Sequence, residues 1–257
     1  MIMQSFISPL VSYKKDENGK AVLGQLFGTV FFINKDGIFL TAKHVVDSAL
    51  EAAQENGSQI GIVVKGQGEK STESFIAELD TYEYYGDKVD VAIGKINYQI
   101  PPELKFTNAK VADIYSDVIT FGYPLDAIYE SVFYEARALK GYIQREIYAN
   151  RDNAFVDSGC DTYELNFVVS RGMSGSPLIK VDEKGNFIVV GICIGYNRSE
   201  TIDFERTEVN DSGEVFTESV RKIVEYSRAP AIYPFLNWKP SMLEGYSVYD
   251  VSTHLEP

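Results

Sequence analysis

The chain has 257 residues, of which 45% are hydrophobic and 24% are charged, a composition typical of a folded globular protein. Its formal net charge is −13 and its basic residues form no run longer than two, so we expect no nucleic-acid partner. The longest apolar stretches, such as 187–196, are about half as long as a membrane-spanning helix, which predicts no membrane partner.

Short strand-like segments separated by turn residues follow one another through the first half. Segments 25–33 and 38–42 flank an Asn-Lys-Asp-Gly turn, which is a strong hairpin signal. Residues 44–56 are rich in Ala, Leu, Glu and Gln and predict a short helix that ends at Gly57. Further strands are predicted at 59–66, 73–80 and 89–96.

The second half continues the same pattern, and together the two halves predict an all-β sandwich or barrel. The strand-like segments there are 117–125, 132–146, 163–170, 176–181 and 187–196. Segment 101–113 could join two substructures. The apolar positions of 212–230 instead predict a late amphipathic helix that ends at Pro230.

The two cysteines, Cys160 and Cys193, are interpreted as buried thiols. A secreted protein of this kind often carries several disulfides, and the N-terminus lacks the features of a signal peptide, so we expect a cytoplasmic location. Two cysteines and two widely separated histidines supply no ligand cluster, so neither a metal nor another cofactor is expected.

Segment 171–180, RGMSGSPLIK, raises the question of catalysis. Ser174 lies among small residues, which suits a nucleophile approached closely by a substrate carbonyl, but also an ordinary turn that leads into a strand. A serine nucleophile needs a base. The candidates are His254, in the unpatterned tail, and His44, where a buried strand passes into the predicted helix, although a lone histidine there is more often a core residue.

The third member of such a site would be a carboxylate that orients the imidazole. Asp90 begins an apolar strand, where a charge is costly to bury unless it is paired. Asp80 and Asp87 are alternatives, but both belong to or border a polar loop, where a solvated carboxylate is the simpler interpretation.

Three short motifs together resemble those of trypsin-like, chymotrypsin-fold serine proteases. LTAKHVV resembles their histidine motif, DVAIGKI their aspartate motif and GMSGSPL their serine motif, and they occur in the chymotrypsin-type order. The resemblance spans about residues 22–205 and is strongest to bacterial members without disulfides, such as glutamyl endopeptidases and HtrA catalytic domains.

The resemblance implies a fold and a division of the chain. It implies two six-stranded antiparallel β-barrels, with a short helix after the histidine motif and a helix near the C-terminus. The whole chain, 1–257, would be one peptidase domain: an N-terminal barrel at about 22–105, a C-terminal barrel at about 114–205, and a C-terminal helix and tail at 206–257.

The resemblance also implies serine endopeptidase chemistry on a protein or peptide substrate, with narrow substrate choice. Ser174 would attack the scissile carbonyl, His44 would accept its proton and Asp90 would orient His44, while the N–H groups of Gly172 and Ser174 would bind the oxyanion. Met173 departs from digestive relatives, which have an aspartate there that pairs with a new N-terminus. The alternative is a protease-like module that binds without cleaving.

The same resemblance places the primary substrate pocket near the serine motif and the strand that follows it. No acidic residue stands at position 168 to receive Lys or Arg, and the lining is apolar, which suggests an aliphatic or aromatic substrate residue. The same side chains would serve equally well as barrel core. The pocket residues implied are Val168, Ile192, Cys193, Ile194, Gly195 and Tyr196.

Overall fold

Two antiparallel β-sheets form most of the structure. The computed structural model describes residues 6–65, 74–100, 104–125, 135–149, 159–210 and 212–253, so His254 lies outside the described residues. The first sheet is a closed barrel and the second has seven strands. The all-β, chymotrypsin-like architecture of two units expected from the sequence is therefore confirmed, and the second unit has one strand more than expected.

Six strands make up the first barrel, in the hydrogen-bonded order β1-β2-β3-β6-β5-β4, and pairing of β1 with β4 closes it. The strands are β1 Ile7–Lys15, β2 Ala21–Phe32, β3 Ile38–Thr41, β4 Gln59–Lys65, β5 Ser74–Tyr84 and β6 Ala92–Ile96.

The helix predicted after the histidine motif is confirmed as α1, Lys43–Asn56. Gly57 ends it in the left-handed conformation, with φ 57°, and its N–H donates to the Ala53 carbonyl. Val45, Val46 and Ala49 are buried and hold the helix on the barrel. The start of α1 is therefore fixed directly after β3.

The second sheet has the order β11-β10-β7-β8-β9-β13-β12. Its strands are β7 Asp117–Gly122, β8 Arg137–Ile147, β9 Thr162–Leu165, β10 Pro177–Val181, β11 Phe187–Ile192, β12 Gly195–Val209 and β13 Val215–Pro230. Just past β13, Ala231 bridges Gly191 of β11. This contact closes six of the strands into a barrel-like ring, from which β12 remains as an edge.

The helix predicted at 212–230 is wrong, because these residues form β13. Apolar side chains at 216, 220 and 224 fit the period of a strand as well as that of a helix. A step of four residues returns to the same face of a strand and nearly to the same face of a helix. The segment is also rich in Val, Ile and Thr, which favour strands. The helix near the C-terminus is α2, Val248–Ser252.

The two sheets share one interior. The largest buried cluster takes Phe31 and Leu40 from the first barrel and Phe121 and Ile192 from the second sheet. The ring of Phe6, just before β1, contacts that of Phe121 edge to face, with centroids 6.4 Å apart. This shared packing fixes the two units against each other. Neither described helix has the length and apolar character needed to cross a membrane.

Candidate active site

His44 is the second residue of α1 and lies at the junction with β3. Its side chain is 46% exposed, whereas the next two residues, Val45 and Val46, are buried. The backbone at His44 is therefore anchored while its imidazole remains accessible to a ligand at the surface.

Asp90 contacts His44 through both of its carboxylate oxygens. Asp90 Oδ2 lies 2.6 Å from His44 Nδ1, and Asp90 Oδ1 accepts a hydrogen bond from the His44 backbone N–H at 2.9 Å. Val89 and Val91 are buried on either side of Asp90 and fix its position before β6. An Nδ1–H donated to this carboxylate leaves Nε2 as the lone-pair nitrogen, which is the tautomer that a general base needs.

Ser174 lies in a tight turn that precedes β10. The Met173 N–H donates to the Ser170 carbonyl at 3.0 Å, and the Ser176 N–H donates to the Met173 carbonyl at 3.1 Å. The Met173 side chain is completely buried. Apolar packing of Met173 thus holds the turn directly before Ser174.

The glycines of this turn make room for protein backbone. A Cβ at Gly175, with φ 87°, would lie 2.1 Å from both the Thr29 carbonyl oxygen and Thr41 Oγ1 and 3.1 Å from the Ala42 nitrogen. A Cβ at Gly172, with φ 90°, would lie 2.5 Å from the Tyr123 carbonyl oxygen. Gly175 therefore packs against the segment that leads into His44. This contact brings the serine motif and the histidine motif close together.

Two backbone N–H groups, at Gly172 and Ser174, have no acceptor among the described residues. The Gly175 N–H, in contrast, donates to the Cys193 carbonyl at 2.7 Å. The arrangement leaves the two expected oxyanion donors unengaged, as an anion-binding role requires.

Thr29 of β2 connects the first barrel to the serine turn. Its backbone N–H donates to the Ser174 carbonyl at 2.8 Å. Its hydroxyl donates to the Gly172 carbonyl at 2.9 Å and accepts from the Tyr123 N–H at 2.9 Å. Thr29 is fully buried, so these contacts are shielded from water and fix the carbonyls on both sides of Met173.

A buried polar network lies behind the turn. The hydroxyls of Thr120 and Ser176 are 2.8 Å apart, and the Cys193 thiol donates to Thr120 Oγ1 at 3.7 Å. Burial raises the pKa of Cys193 to about 11, despite an opposing effect of its hydrogen bonds. The thiol is therefore neutral near pH 7 and has a supporting role rather than a nucleophilic one.

The residues expected to line the pocket fall into two groups. Ile192 and Cys193 have no exposed surface and belong to two core clusters, which is the alternative that the sequence left open. Val168, Ile194 and Gly195 are half-buried, and Tyr196 is 43% exposed. A Cβ at Gly195 would lie 4.0 Å from Ser174 Oγ, which places this glycine beside the candidate nucleophile.

The sequence interpretation missed the threonines that hold the site together. Thr29 and Thr41 interrupt apolar strands, and both are fully buried, with the Thr41 hydroxyl donating to the Thr29 carbonyl at 2.8 Å. A hydroxyl buried in such a strand requires a partner. A threonine in an apolar strand therefore signals a buried hydrogen bond in the sequence. It does not identify which loop supplies the hydrogen-bond partner.

A known protein family matches more than half of the chain. Residues 28–192 match a family model described as a trypsin-like peptidase domain. The chain is similar in structure to the Rv3671c protease in an inactive form, with 22% identity over 89% of this chain and 84% of that one and a TM-score of 0.48. It is also similar to an inactive serine-to-alanine mutant of Rv3671c from M. tuberculosis H37Rv, with 20% identity over 99% and 90% of the two chains and a TM-score of 0.49. No curated protein matches the chain.

Proposed function

We propose that this chain, which belongs to the trypsin-like peptidase family and is a serine peptidase, cleaves internal peptide bonds of a narrow set of proteins through a Ser174–His44–Asp90 triad. The observation that carries the proposal is the double contact of Asp90 with the ring and the backbone of His44. The packing of Gly175 against the residues before His44 supports the inclusion of Ser174 in the same site.

In the proposed mechanism His44 Nε2 accepts the proton of Ser174 Oγ as that oxygen attacks the scissile carbonyl. Asp90 keeps the imidazole in the reactive tautomer and stabilises the imidazolium. The developing oxyanion accepts hydrogen bonds from the N–H groups of Gly172 and Ser174. His44 then protonates the leaving amine, and water hydrolyses the acyl-enzyme by the reverse sequence of proton transfers.

We further propose that the whole chain is one peptidase domain and that it acts in the cytoplasm. The small number of cysteines, two in 257 residues, supports a reducing compartment. Within the described residues, no three His, Cys, Asp or Glu side chains are grouped as metal ligands.

A digest of a proteome-derived peptide library tests the proposal. We expect the wild-type chain to cut internal bonds after a restricted set of residues, with no cleavage by Ser174→Ala. Asp90→Asn keeps the shape of the side chain but no longer holds the reactive tautomer, so we expect kcat to fall by about 10³–10⁴. A folded wild type that cuts no peptide, or that cuts equally well without Ser174, contradicts the proposal.

A further inference from the structure

The first turn of α1 carries His44 and receives few polar contacts from outside the helix. Ala42, the residue before α1, supplies no side-chain hydrogen bond to the helix, and the first turn has no acidic residue of its own. In the described part of the chain, two side chains from outside the helix hydrogen bond to residues 43–47, those of Asp90 and Tyr84. The polar contacts that orient this turn therefore come from these two residues.

Tyr84 is the last residue of β5 and contacts α1 at two points. Its hydroxyl donates to Asp47 Oδ1 at 2.6 Å. The Lys43 ammonium lies over its ring, 4.9 Å from the ring centroid, which is within the range of a cation–π contact. Lys43 directly precedes His44 in the chain and Asp47 follows it, so Tyr84 contacts the helix on both sides of the candidate general base.

The position of Asp47 on the helix is linked to that of His44. Residues three apart in an α-helix are neighbours on its surface, with Cβ atoms about 5–6 Å apart. Val45 and Val46, which lie between them in the chain, are buried against the barrel. A hydrogen bond at Asp47 therefore limits rotation of the first turn about the helix axis, a motion that would swing the His44 imidazole away from Asp90.

Tyr84 also belongs to the backbone that positions Asp90. It pairs with Ala92 in the ladder between β5 and β6, two residues past Asp90. Two residues along an extended chain span roughly 7 Å, so this pairing lies close to the carboxylate. Tyr84 therefore connects the strand that follows Asp90 to the helix that carries His44.

The Tyr84 hydroxyl is suited to be a lasting donor. Tyr84 and Asp47 are both half-buried, so water has limited access to the hydrogen bond between them. Burial raises the pKa of Tyr84, and the hydrogen bond to Asp47 raises it further. The hydroxyl thus stays protonated at neutral pH, and its acceptor is a carboxylate oxygen, which makes the bond stronger than one between neutral groups.

We propose that Tyr84 is a positioning residue for the triad, an inference that rests on the proposed function. Its hydrogen bond to Asp47 fixes the first turn of α1 relative to the strand after Asp90, so that the imidazole of His44 meets the carboxylate before substrate arrives. In this role Tyr84 acts through Asp47 and α1 rather than on the substrate. Loss of the hydroxyl lets the turn move and reduces the fraction of chains with an aligned imidazole.

Removal of the hydroxyl alone tests the inference. Tyr84→Phe deletes the donor to Asp47 and retains the ring beneath Lys43. We expect fluorophosphonate labelling of Ser174 to slow by about tenfold, because a small displacement of a catalytic group has a large effect on rate. The reagent is small and reacts at Ser174 itself, so slower labelling does not report lost contacts with a distant part of a substrate.

The matched control is Tyr98→Phe in the same barrel. Tyr98 is also half-buried, and its hydroxyl donates to the Lys65 carbonyl at 3.0 Å. β6 runs from Ala92 to Ile96, roughly 13 Å, and Tyr98 lies past the end that is distant from Asp90. Its variant should label at the wild-type rate, and equal slowing in both variants overturns the inference. Circular dichroism verifies that both are folded at the labelling temperature.

Variants of Asp47 test the same hydrogen bond from the acceptor side. Asp47→Asn keeps an oxygen that can accept from Tyr84 and should keep most of the labelling rate, whereas Asp47→Ala should match the loss in Tyr84→Phe. Because both changes remove one interaction, the double variant Tyr84→Phe/Asp47→Ala should label no more slowly than either single variant. Losses that multiply in the double variant overturn the inference, and so does an Asp47→Ala variant that labels at the wild-type rate.

A spectroscopic readout separates positioning from catalysis. An imidazole Nδ1–H donated to a carboxylate forms a short, charge-assisted hydrogen bond, and its proton resonates far downfield in the NMR spectrum. In a His254→Gln background His44 is the only histidine, and we expect this resonance to persist in Tyr98→Phe but to shift or broaden in Tyr84→Phe. An unchanged resonance in Tyr84→Phe overturns the inference. A wild type that is not labelled contradicts the proposed function, while the resonance still decides whether Tyr84 positions His44.

Discussion

At the scale of single residues, Thr29 makes hydrogen bonds that bear directly on the serine turn. Its hydroxyl serves as donor to Gly172 and acceptor from Tyr123, and its backbone holds the Ser174 carbonyl. All these atoms are buried, so no water can replace a lost partner. We therefore infer that Thr29 positions the turn that carries the proposed oxyanion donors, Gly172 and Ser174.

Replacing Thr29 by Val removes the hydroxyl at nearly constant volume. The Tyr123 N–H and the Gly172 carbonyl lose a partner, and we expect a stability loss of about 1–3 kcal/mol. We also expect fluorophosphonate labelling of Ser174 to slow by about tenfold to a hundredfold, because the turn relaxes. Urea unfolding and labelling kinetics measure the two effects.

The control for this substitution is Thr29→Ser, which keeps the hydroxyl and should restore most of the labelling rate. A Val variant that is destabilised but labels as fast as wild type would show that Thr29 supports the fold and does not position the turn.

Gly175 is required by space as well as by its backbone angle. An added Cβ would overlap Thr29 and Thr41 at 2.1 Å, so we expect Gly175→Ala to cost more than about 4 kcal/mol or to prevent folding. Gly185, with φ 79° and open space around it, is the control, and Ala there should cost only about 1–2 kcal/mol. Thermal unfolding followed by circular dichroism compares the two, and equal effects would refute the packing argument.

The two cysteines give a pH-dependent prediction. Burial raises the pKa of both Cys160 and Cys193 to about 11, so both thiols remain protonated at pH 8 in the folded chain. Iodoacetamide reacts with thiolates, and we expect no alkylation in an hour at pH 8 but two adducts in urea. Rapid alkylation of the folded chain, read by intact mass, would show that a thiol is accessible and ionised.

At the scale of secondary structure elements, α1 and β13 show why one prediction succeeded and another failed. The helix at 43–56 is rich in Ala, Leu, Glu and Gln from residue 49 onward and is followed by a glycine, so these local signals agree. In 215–230 the apolar period is ambiguous, and only the β-branched residues and the Asn-Asp-Ser-Gly turn before them favoured a strand. β13 is stabilised by pairing with β12 along its length and with β9 at its end, and pairing between strands cannot be read from one segment alone.

Hydrogen exchange should distinguish the exposed part of the β12–β13 hairpin, residues 198–225 and here called the arm, from the sheet that carries it. An isolated two-stranded hairpin is marginally stable in water, so we expect amides of 198–225 to exchange within seconds to minutes. Amides of β7 and β10, inside the sheet, should be protected for hours. Mass spectrometry of peptides from both regions measures the difference. Equal protection would mean that another surface covers the arm in the free chain.

At the scale of the whole molecule, the site lies where the first barrel meets the second sheet. His44 and Asp90 belong to the first barrel, and Ser174 precedes a strand of the second sheet. Motif order was enough to predict the fold class and to nominate these three residues. The threonine contacts and the arm could not be predicted, because both depend on which distant segments pack together.

Stoichiometric labelling with a fluorophosphonate tests the central claim, that His44, Asp90 and Ser174 form a working site. The chain is treated with the reagent, its intact mass is measured, and Ser174→Ala and His44→Ala are treated in parallel. The account predicts one adduct on the wild type and none on either variant, because only an activated Ser174 reacts. An unlabelled but folded wild type, or an adduct that persists in Ser174→Ala, would contradict it.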